Sequence, residues 1–343
     1  MYSDQRTLKY SLAINEAFFQ TMEEDSNVIL IGQGVKSPWY VGQTADRLLA
    51  TYGPSRIIDT PVSENAITGA AVGAAIAGMK PVVVHPRVDF MCYAFDPIIN
   101  EAANWRYISA GRTICPVVFW GIINRRGEQG AQHSQALHAL FAHIPGLKVV
   151  MPSTPYDAKG LMVAAIREPN PVVFIDDRLL YGVEGVVPEN LYEVPIGKGC
   201  IYRSGNHVSV ISLSYGTHLA MKAAANLEKK GIDAEIIDLR SVKPLDIELI
   251  VSSVKKTGLA VVVDVGWQSF GVSAEIATII SEHCFANLRS PVCRLALPDI
   301  PAPSAYSLED EYYFSEHDIE NCILNLFETI NIKTDIDIRH NTT

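Results

Sequence analysis

The sequence predicts an α/β protein with two doubly wound domains, each built on a parallel sheet. Apolar runs of strand length alternate with helical patterns along most of the 343 residues. Continuous apolar runs are typical of strands that are covered by helices on both faces. The alternation is lost once, between residues 186 and 206, where Gly and Pro are frequent. Length, alternation and this interruption together indicate two domains.

The first part of the chain carries most of the predicted elements. Strands are predicted at residues 27–35, 56–61, 80–85, 115–121, 148–151 and 171–176. Helices are predicted at residues 63–77, 94–109 and 154–167. Ser63 is a candidate N-cap for the first of these helices, and Pro155 occupies the first position of the last, where proline is favoured.

The same rhythm resumes after the interruption. Strands are predicted at residues 208–214, 234–240, 259–265 and 292–297, and helices at residues 217–230, 246–256, 272–284 and 316–329. We therefore expect a first domain at residues 1–185, a linker at 186–206, a second domain at 207–330 and a flexible polar tail at 331–343.

Composition excludes several classes of protein. The formal net charge is −10 and no basic run occurs, so nucleic acid is not an expected partner. A hydrophobic content of 48% argues against disorder. The most apolar stretch, residues 66–79, is too short to span a bilayer. Its Gly69 and Gly73 therefore predict close helix packing.

The cysteines indicate the compartment. Six are scattered along the chain without a CxxC pair, and several lie in apolar runs. The N-terminus shows no signal-peptide pattern. We expect reduced cysteines in a cytoplasmic protein.

Two motifs place a proton-transfer side chain between a predicted strand and a predicted helix. They are Asp59–Asn65 (DTPVSEN) and Gln132–Gln135 (QHSQ). Ligands of parallel sheets bind at the carboxyl ends of strands, and a helix N-terminus favours an ionised carboxylate there. From the residues alone, Glu64 either caps its helix or binds a ligand. His133 is one of nine histidines, so a structural role competes with a catalytic one.

From about Tyr10 to Ile330, the sequence resembles the beta subunit of the thiamine-diphosphate-dependent 2-oxo acid dehydrogenases of the pyruvate and branched-chain type. The resemblance implies that Glu64 hydrogen-bonds the ring nitrogen of the cofactor's aminopyrimidine as its acid–base group. It implies that Phe90 packs against the same ring, which Val62 also contacts. His133 would line the substrate channel and serve proton transfer or acyl hand-off.

The resemblance also implies a structural potassium ion held by main-chain carbonyls. The matching positions are Val117, Ala165, Ile166, Glu168 and Asn170. A plain helix C-terminus before a proline-containing turn explains the segment from residue 164 to 172 equally well.

An absent motif indicates a partner chain. The sequence has no GDG followed by a downstream Asn, the pattern that holds magnesium and the diphosphate in thiamine enzymes, and no other phosphate loop. The chain is thus expected to bind only the pyrimidine end, with Mg²⁺ on an alpha subunit in an α2β2 heterotetramer. Residues 263–266 and 271–276 resemble the domain that pairs beta subunits and docks a lipoyl acyltransferase core. The implied reaction is oxidative decarboxylation of a 2-oxo acid with acyl transfer to lipoamide.

Some positions depart from the family pattern. Val84 stands where glutamate is common, Gln33 and Gly34 replace an acidic pair, and the loop from Gly121 to Gly127 replaces a glycine-rich one. In that loop, Arg125 and Arg126 either belong to a solvated surface or form a guanidinium fork for a carboxylate or phosphate.

These departures favour a second hypothesis, in which the enzyme is a carboligase or split transketolase that transfers an aldehyde unit to another carbonyl. A third reading, from a different class, is a catalytically silent assembly subunit. The presence of both Glu64 and His133 argues against that role.

Overall fold

The computed structural model describes residues 6–37 and 40–340, with side chains up to residue 329, and the chain forms two compact units. The first unit comprises the chain up to Lys198 together with Arg240–Pro244 and Pro301–Ser304. The second comprises Gly199–Leu239, Leu245–Ile300 and the chain from Ala305. Each unit is an α/β layer structure on a mainly parallel sheet, so the predicted fold class is confirmed.

The described residues form strands β1 to β14 in chain order. They are Thr7–Lys9, Val28–Gly32, Ile57–Asp59, Lys80–His85, Val118–Ile123, Lys148–Val150, Val172–Asp177, Glu184–Val186, Cys200–Arg203, Val208–Ser212, Ala234–Asp238, Ser241–Lys243, Ala260–Trp267 and Cys293–Leu297.

The α-helices of the described residues are numbered α1 to α11. They are Tyr10–Glu24, Leu48–Tyr52, Glu64–Ile76, Ala103–Ile108, His138–His143, Pro155–Arg167, Tyr215–Glu228, Ile247–Thr257, Val272–Cys284, Tyr306–Tyr312 and Glu316–His340. No helix in this described part of the chain has both the length and the apolar character needed to cross a membrane.

The first unit is built on a seven-stranded sheet in the order β12-β6-β7-β5-β4-β2-β3. Adjacent strands in this sheet run parallel, except that β12 is antiparallel to β6. The central strands are wholly buried, which explains why the sequence shows them as continuous apolar runs. A separate antiparallel pair joins β1 to β8.

The second unit has a five-stranded sheet in the order β14-β13-β10-β11-β9, parallel except for β9. The core on one of its faces includes Leu227 of α7, Val261 of β13, and Ile319 and Ile323 of α11. Strand β9 lies within the residues that the sequence suggested as a linker. The backbone of α11 is described to His340 and residues 341–343 lie outside the described residues, so the flexible tail stays a prediction.

A buried lysine fixes the first helix of the chain to the core. Lys159 of α6 is fully buried, and its Nζ donates to Glu16 Oε1 of α1 at 2.6 Å and to the Pro188 carbonyl at 2.8 Å. Arg6 donates to the other oxygen of Glu16 at 2.7 Å. A buried ammonium is tolerated only when it is paired and fully hydrogen-bonded, as here.

Two helix starts were predicted with different success. Thr154 caps α6 by accepting a hydrogen bond from the Asp157 amide, and Pro155 is the first helical residue, as predicted. Ser63 holds the N-cap position of α3, but its side chain makes no capping bond. The predicted helix at 94–109 is a π-helical turn at Asp96–Ala102 that continues into α4.

Candidate active site

The carboxyl ends of the parallel strands meet at one edge of the first sheet. Gly32 at the end of β2 is in register with Asp59 of β3 and Val84 of β4, and Ile123 of β5 is in register with Asp177 of β7. Gly32 has φ of +153°, and a Cβ there would lie 2.6 Å from the Val84 carbonyl oxygen. The backbones therefore approach closely at this edge, where ligands of parallel sheets bind.

Glu64 is the first residue of α3, which follows β3 at this edge. Its half-buried side chain forms no hydrogen bond or ion pair with any other described residue. Val62, two residues earlier, is 66% exposed although it is apolar. This segment therefore presents a carboxyl group at a helix start beside an open apolar side chain.

Phe90 and His133 are brought together although 43 positions separate them in the sequence. Phe90 lies in a 3₁₀ turn after β4, and His133 lies in the loop after β5. Their rings are 5.3 Å apart at 89°, an edge-to-face contact. Both side chains are half-buried, so each still has surface available to a ligand. The fold therefore brings together two distant residues that the family resemblance had assigned to one site.

Asp89 holds the loop that carries His133, although the sequence analysis did not single it out. Its Oδ1 accepts a hydrogen bond from the Gln135 amide at 3.1 Å. Burial raises the pKa of Asp89, whereas the Gln135 amide and nearby His133 favour the charged form. Its position directly before Phe90 was the only available signal.

Replacing Asp89 by Ala should lower activity, because the turn that carries His133 loses its side-chain anchor. We expect a loss of about 1–3 kcal/mol in the free energy of unfolding, the usual cost of an orphaned buried donor. Asp89→Asn is the matched control, since an amide oxygen can still accept from the Gln135 amide. Urea unfolding and turnover measurements check both variants; an Ala variant as active as the Asn variant would contradict the anchoring role.

His85 stabilises α3 as an uncharged side chain near neutral pH. It is fully buried at the end of β4, and its Nε2 lies 3.2 Å from Thr68 Oγ1, one turn beyond Glu64 on α3. Burial lowers the pKa of His85 to about 4, so the ring stays neutral. It fixes the helix that presents Glu64.

The two arginines of the 121–127 loop have different surroundings. Arg125 is buried, and its Nε lies 2.8 Å from Oδ2 of the fully buried Asp177. It therefore does not belong to a solvated surface, and its guanidinium is engaged inside the protein. Arg126 is half-buried with φ of +65°. Substrate binding by either arginine stays a prediction.

Arg87 is a further arginine at this edge that the sequence did not single out. Its Nη2 donates to Gln129 Oε1 at 3.2 Å and its Nη1 to the Pro86 carbonyl at 2.8 Å. Burial and then the nearby charge of Arg178 lower the pKa of Arg87. No carboxylate of the described residues forms an ion pair with it. A half-buried cation that forms no ion pair with a described residue suits an anionic ligand.

Two of the carbonyls suggested for potassium accept hydrogen bonds from backbone amides of the protein. The Val117 carbonyl accepts from the Val172 amide at 3.0 Å, and the Ala165 carbonyl from the Glu168 amide at 3.4 Å. The Glu168 carboxylate pairs with Lys148 at 2.6 Å. Among the described side chains, no cluster of three His, Cys, Asp or Glu could hold a metal ion. Potassium binding through these carbonyls, with Ile166 and Asn170, stays a prediction.

A second buried carboxyl group lies at the end of β7. Burial raises the pKa of Asp176 to about 7, although Trp120 and Tyr181 act in the opposite direction. The usual pKa of this carboxyl group is 3.8. Between that pH and about 7, folded Asp176 therefore holds a proton that the unfolded chain has released. Its contribution to the free energy of unfolding therefore decreases as the pH rises from about 4 to about 7.

Asp176→Asn should remove this pH dependence, because an amide does not ionise. The stability of the variant relative to the original protein should rise between pH 5 and pH 8, by about 3 kcal/mol. Urea unfolding at both values measures the difference, with the exposed Asp299→Asn as control. A difference between variant and original protein that is the same at both pH values would contradict protonation of Asp176.

Small residues without polar side chains cover the outward face of α3 for two turns. Ala66, Gly69, Ala70 and Gly73 are exposed, and a Cβ at either glycine would meet no atom within 4 Å. Exposed helix faces normally carry polar residues, so this small apolar face suits the close approach of another helix. It adjoins Glu64, which begins the same helix.

Comparison with known proteins identifies both units. The model of the transketolase pyrimidine-binding domain matches residues 6–184, and that of the transketolase C-terminal domain matches residues 197–319. The beta subunit of acetoin:2,6-dichlorophenolindophenol oxidoreductase from Cupriavidus necator is 43% identical, covering 90% of this chain and 94% of that one.

Two further relatives extend the likeness. The pyruvate dehydrogenase E1 component subunit beta of Rickettsia conorii is 42% identical over 90% of this chain and 94% of its own. The 2-oxoisovalerate dehydrogenase subunit beta of Bacillus subtilis is 41% identical over 94% of this chain and 99% of its own. A solved split-gene transketolase, described as an inactive beta4 tetramer, shares the fold with a TM-score of 0.77 at 22% identity, covering 93% of this chain and 98% of that one.

Proposed function

The chain belongs to the transketolase-like family of E1 beta subunits of thiamine-diphosphate-dependent 2-oxo acid dehydrogenases, and on that premise we propose that it supplies the pyrimidine half of an active site shared with an alpha subunit. The proposed reaction is oxidative decarboxylation of a 2-oxo acid with acyl transfer to lipoamide. Residues 1–185 would bind the pyrimidine, and residues 207–330 would pair the beta subunits.

The free carboxylate of Glu64 carries this proposal. A half-buried acid at a helix start with no partner among the described residues suits a ring nitrogen that must gain and lose a proton. The half-exposed Phe90 ring and the exposed Val62 side chain offer the apolar surface that an aromatic pyrimidine requires. These residues therefore fit the cofactor's pyrimidine end.

Each residue of this chain would have a distinct task. When bound, thiamine diphosphate supplies the electron sink for loss of carbon dioxide. Glu64 would hold the proton at the pyrimidine nitrogen, and Phe90 would orient the ring. His133, positioned by Phe90 and by the loop that Asp89 anchors, would transfer a proton to or from the substrate. His85 would hold α3 in place.

A partner chain follows from what the sequence lacks. The diphosphate and Mg²⁺ require residues that an alpha subunit would bring, in an α2β2 heterotetramer. The small outward face of α3 beside Glu64 supports a helix of another chain at that place. A lipoyl acyltransferase core, a potassium ion and a cytoplasmic location belong to the same proposal.

A second candidate function rests on Arg87. A half-buried guanidinium at the site edge that forms no ion pair with a described carboxylate suits a substrate with an extra anionic group, such as a sugar phosphate. That substrate would make the pair a split transketolase or carboligase, with Arg125 and Arg126 as further candidate contacts.

Dye reduction by the co-expressed pair tests both candidates. The chain is assayed alone and with its alpha-type partner, with thiamine diphosphate, Mg²⁺ and 2,6-dichlorophenolindophenol, against pyruvate, branched-chain 2-oxo acids and acetoin. We expect activity only in the pair, with one class of 2-oxo acid preferred. If a cofactor-loaded pair reduces no dye with any of them but transfers aldehyde units between sugar phosphates, the second candidate replaces the first.

A further inference from the structure

Two cysteines that are far apart in the sequence meet in the second unit. Cys293 begins β14, an edge strand of the five-stranded sheet, and Cys322 lies in α11. Their sulfur atoms are 2.8 Å apart, although 29 positions separate them. Both residues are free thiols and partly buried. No CxxC spacing in the sequence indicates this pair, so the sequence alone predicted six separate reduced cysteines.

Packing of α11 fixes the approach of the two thiols. Ile319 and Ile323 flank Cys322 on the helix, and both are fully buried in the core beneath α7. Glu320 accepts a hydrogen bond from Asn226 of α7 at 2.8 Å. Cys293 packs against the same core from β14. The backbone therefore holds Cys322 beside Cys293, and a bond between them requires little rearrangement.

We propose that Cys293 and Cys322 form a reversible redox pair, which a hydroperoxide oxidises to a disulfide that links β14 to α11. The match to the transketolase C-terminal domain family ends at residue 319, before Cys322. The pair therefore does not lie wholly within the part of the chain that this family covers. The proposal concerns neither the cofactor site nor the reaction, and it stands independently of the proposed function.

The chemistry assigns different tasks to the two sulfurs. The interaction between the two thiols lowers the pKa of Cys322 and raises that of Cys293. Cys322 is therefore the thiolate that attacks the peroxide oxygen, forming a sulfenic acid and releasing hydroxide. The Cys293 sulfur then displaces that oxygen as water. In sum, two thiols and one hydrogen peroxide give one disulfide and two waters, and a dithiol reductant reverses the step.

Peptide mapping of the full-length chain tests the link. The protein is treated with stoichiometric hydrogen peroxide, alkylated under denaturing conditions, digested with trypsin without reductant and analysed by mass spectrometry. Cleavage after Arg289 and Arg294 isolates Cys293 in a five-residue peptide, separate from Cys322. We expect these two peptides to be joined while the exposed Cys92 is still alkylated. If Cys92 is oxidised and no joined peptide forms, the proposal is wrong.

Thermal unfolding provides a second readout of the link. A disulfide closing this loop should raise the melting temperature of the peroxide-treated chain on the order of 5 °C, and dithiothreitol should abolish the rise. Cys322→Ser should lose both the link and the rise, whereas the control Cys92→Ser should keep both. A rise of the same size in Cys322→Ser would contradict the proposal, because another oxidation would then cause it.

Discussion

Replacing Glu64 by Gln should reduce the turnover of the assembled pair by about 10²- to 10⁴-fold, the usual contribution of a positioned acid–base group. Gln has nearly the same shape but can neither ionise nor hold a transferable proton. Because Glu64 has no partner among the described residues, its replacement should change the free energy of unfolding by less than about 0.5 kcal/mol. Dye reduction and urea unfolding measure the two effects separately.

The chain provides a matched control for helix-end effects. Glu275 is an exposed acid in the first turn of α9, in the second unit. Glu275→Gln removes the same charge from a helix start but should leave turnover unchanged. Equal activity of the Glu64→Gln pair and the original pair would show that Glu64 only interacts with its helix, which is the alternative that the sequence left open.

Arg125→Ala should lower the free energy of unfolding by about 3–5 kcal/mol, as expected when one member of a buried ion pair is removed. Arg125 and Asp177 have side chains that are 4% and 0% exposed. Burial already raises the pKa of Asp177, and the Arg125 charge opposes that rise. Without Arg125, the carboxylate is buried without its counter-charge. Urea unfolding followed by circular dichroism measures the loss.

Arg126→Ala serves as the neighbouring control. Arg126 is only half-buried, so its removal should cost less than about 1 kcal/mol. If Arg125→Ala is as stable as the original protein but weakens the apparent affinity for an anionic substrate, Arg125 acts in recognition and not as a structural ion pair.

The sequence predicted the sheets well because buried parallel strands leave a simple signal. Strands such as β2 and β5 appear in the sequence as uninterrupted apolar runs, and Pro155 marks the start of α6. Helix α1 left no such signal, since polar residues including Ser11, Asn15 and Thr21 are buried on it. Asn15 is satisfied by the Thr44 carbonyl 29 positions away, which local patterns do not reveal.

Only part of the candidate site could be predicted, because local sequence patterns do not reveal contacts between distant residues. Glu64, Phe90 and His133 stand in motifs next to strand ends, where position suggests function. Asp89, Arg87 and the Arg125–Asp177 pair depend on contacts between distant segments. A sequence gives the charge of Arg125 but not its burial, and burial decides between an ion pair and a surface residue.

Cofactor affinity tests the central claim, a thiamine site divided between two chains, most directly. The measurement is titration calorimetry of thiamine diphosphate with Mg²⁺ into this chain alone and into the co-purified pair. We predict binding by the pair, weakened in the Glu64→Gln pair, and none by the chain alone at the same concentrations. Binding to the isolated chain as tight as binding to the pair would contradict the claim, because this chain would then hold both ends of the cofactor.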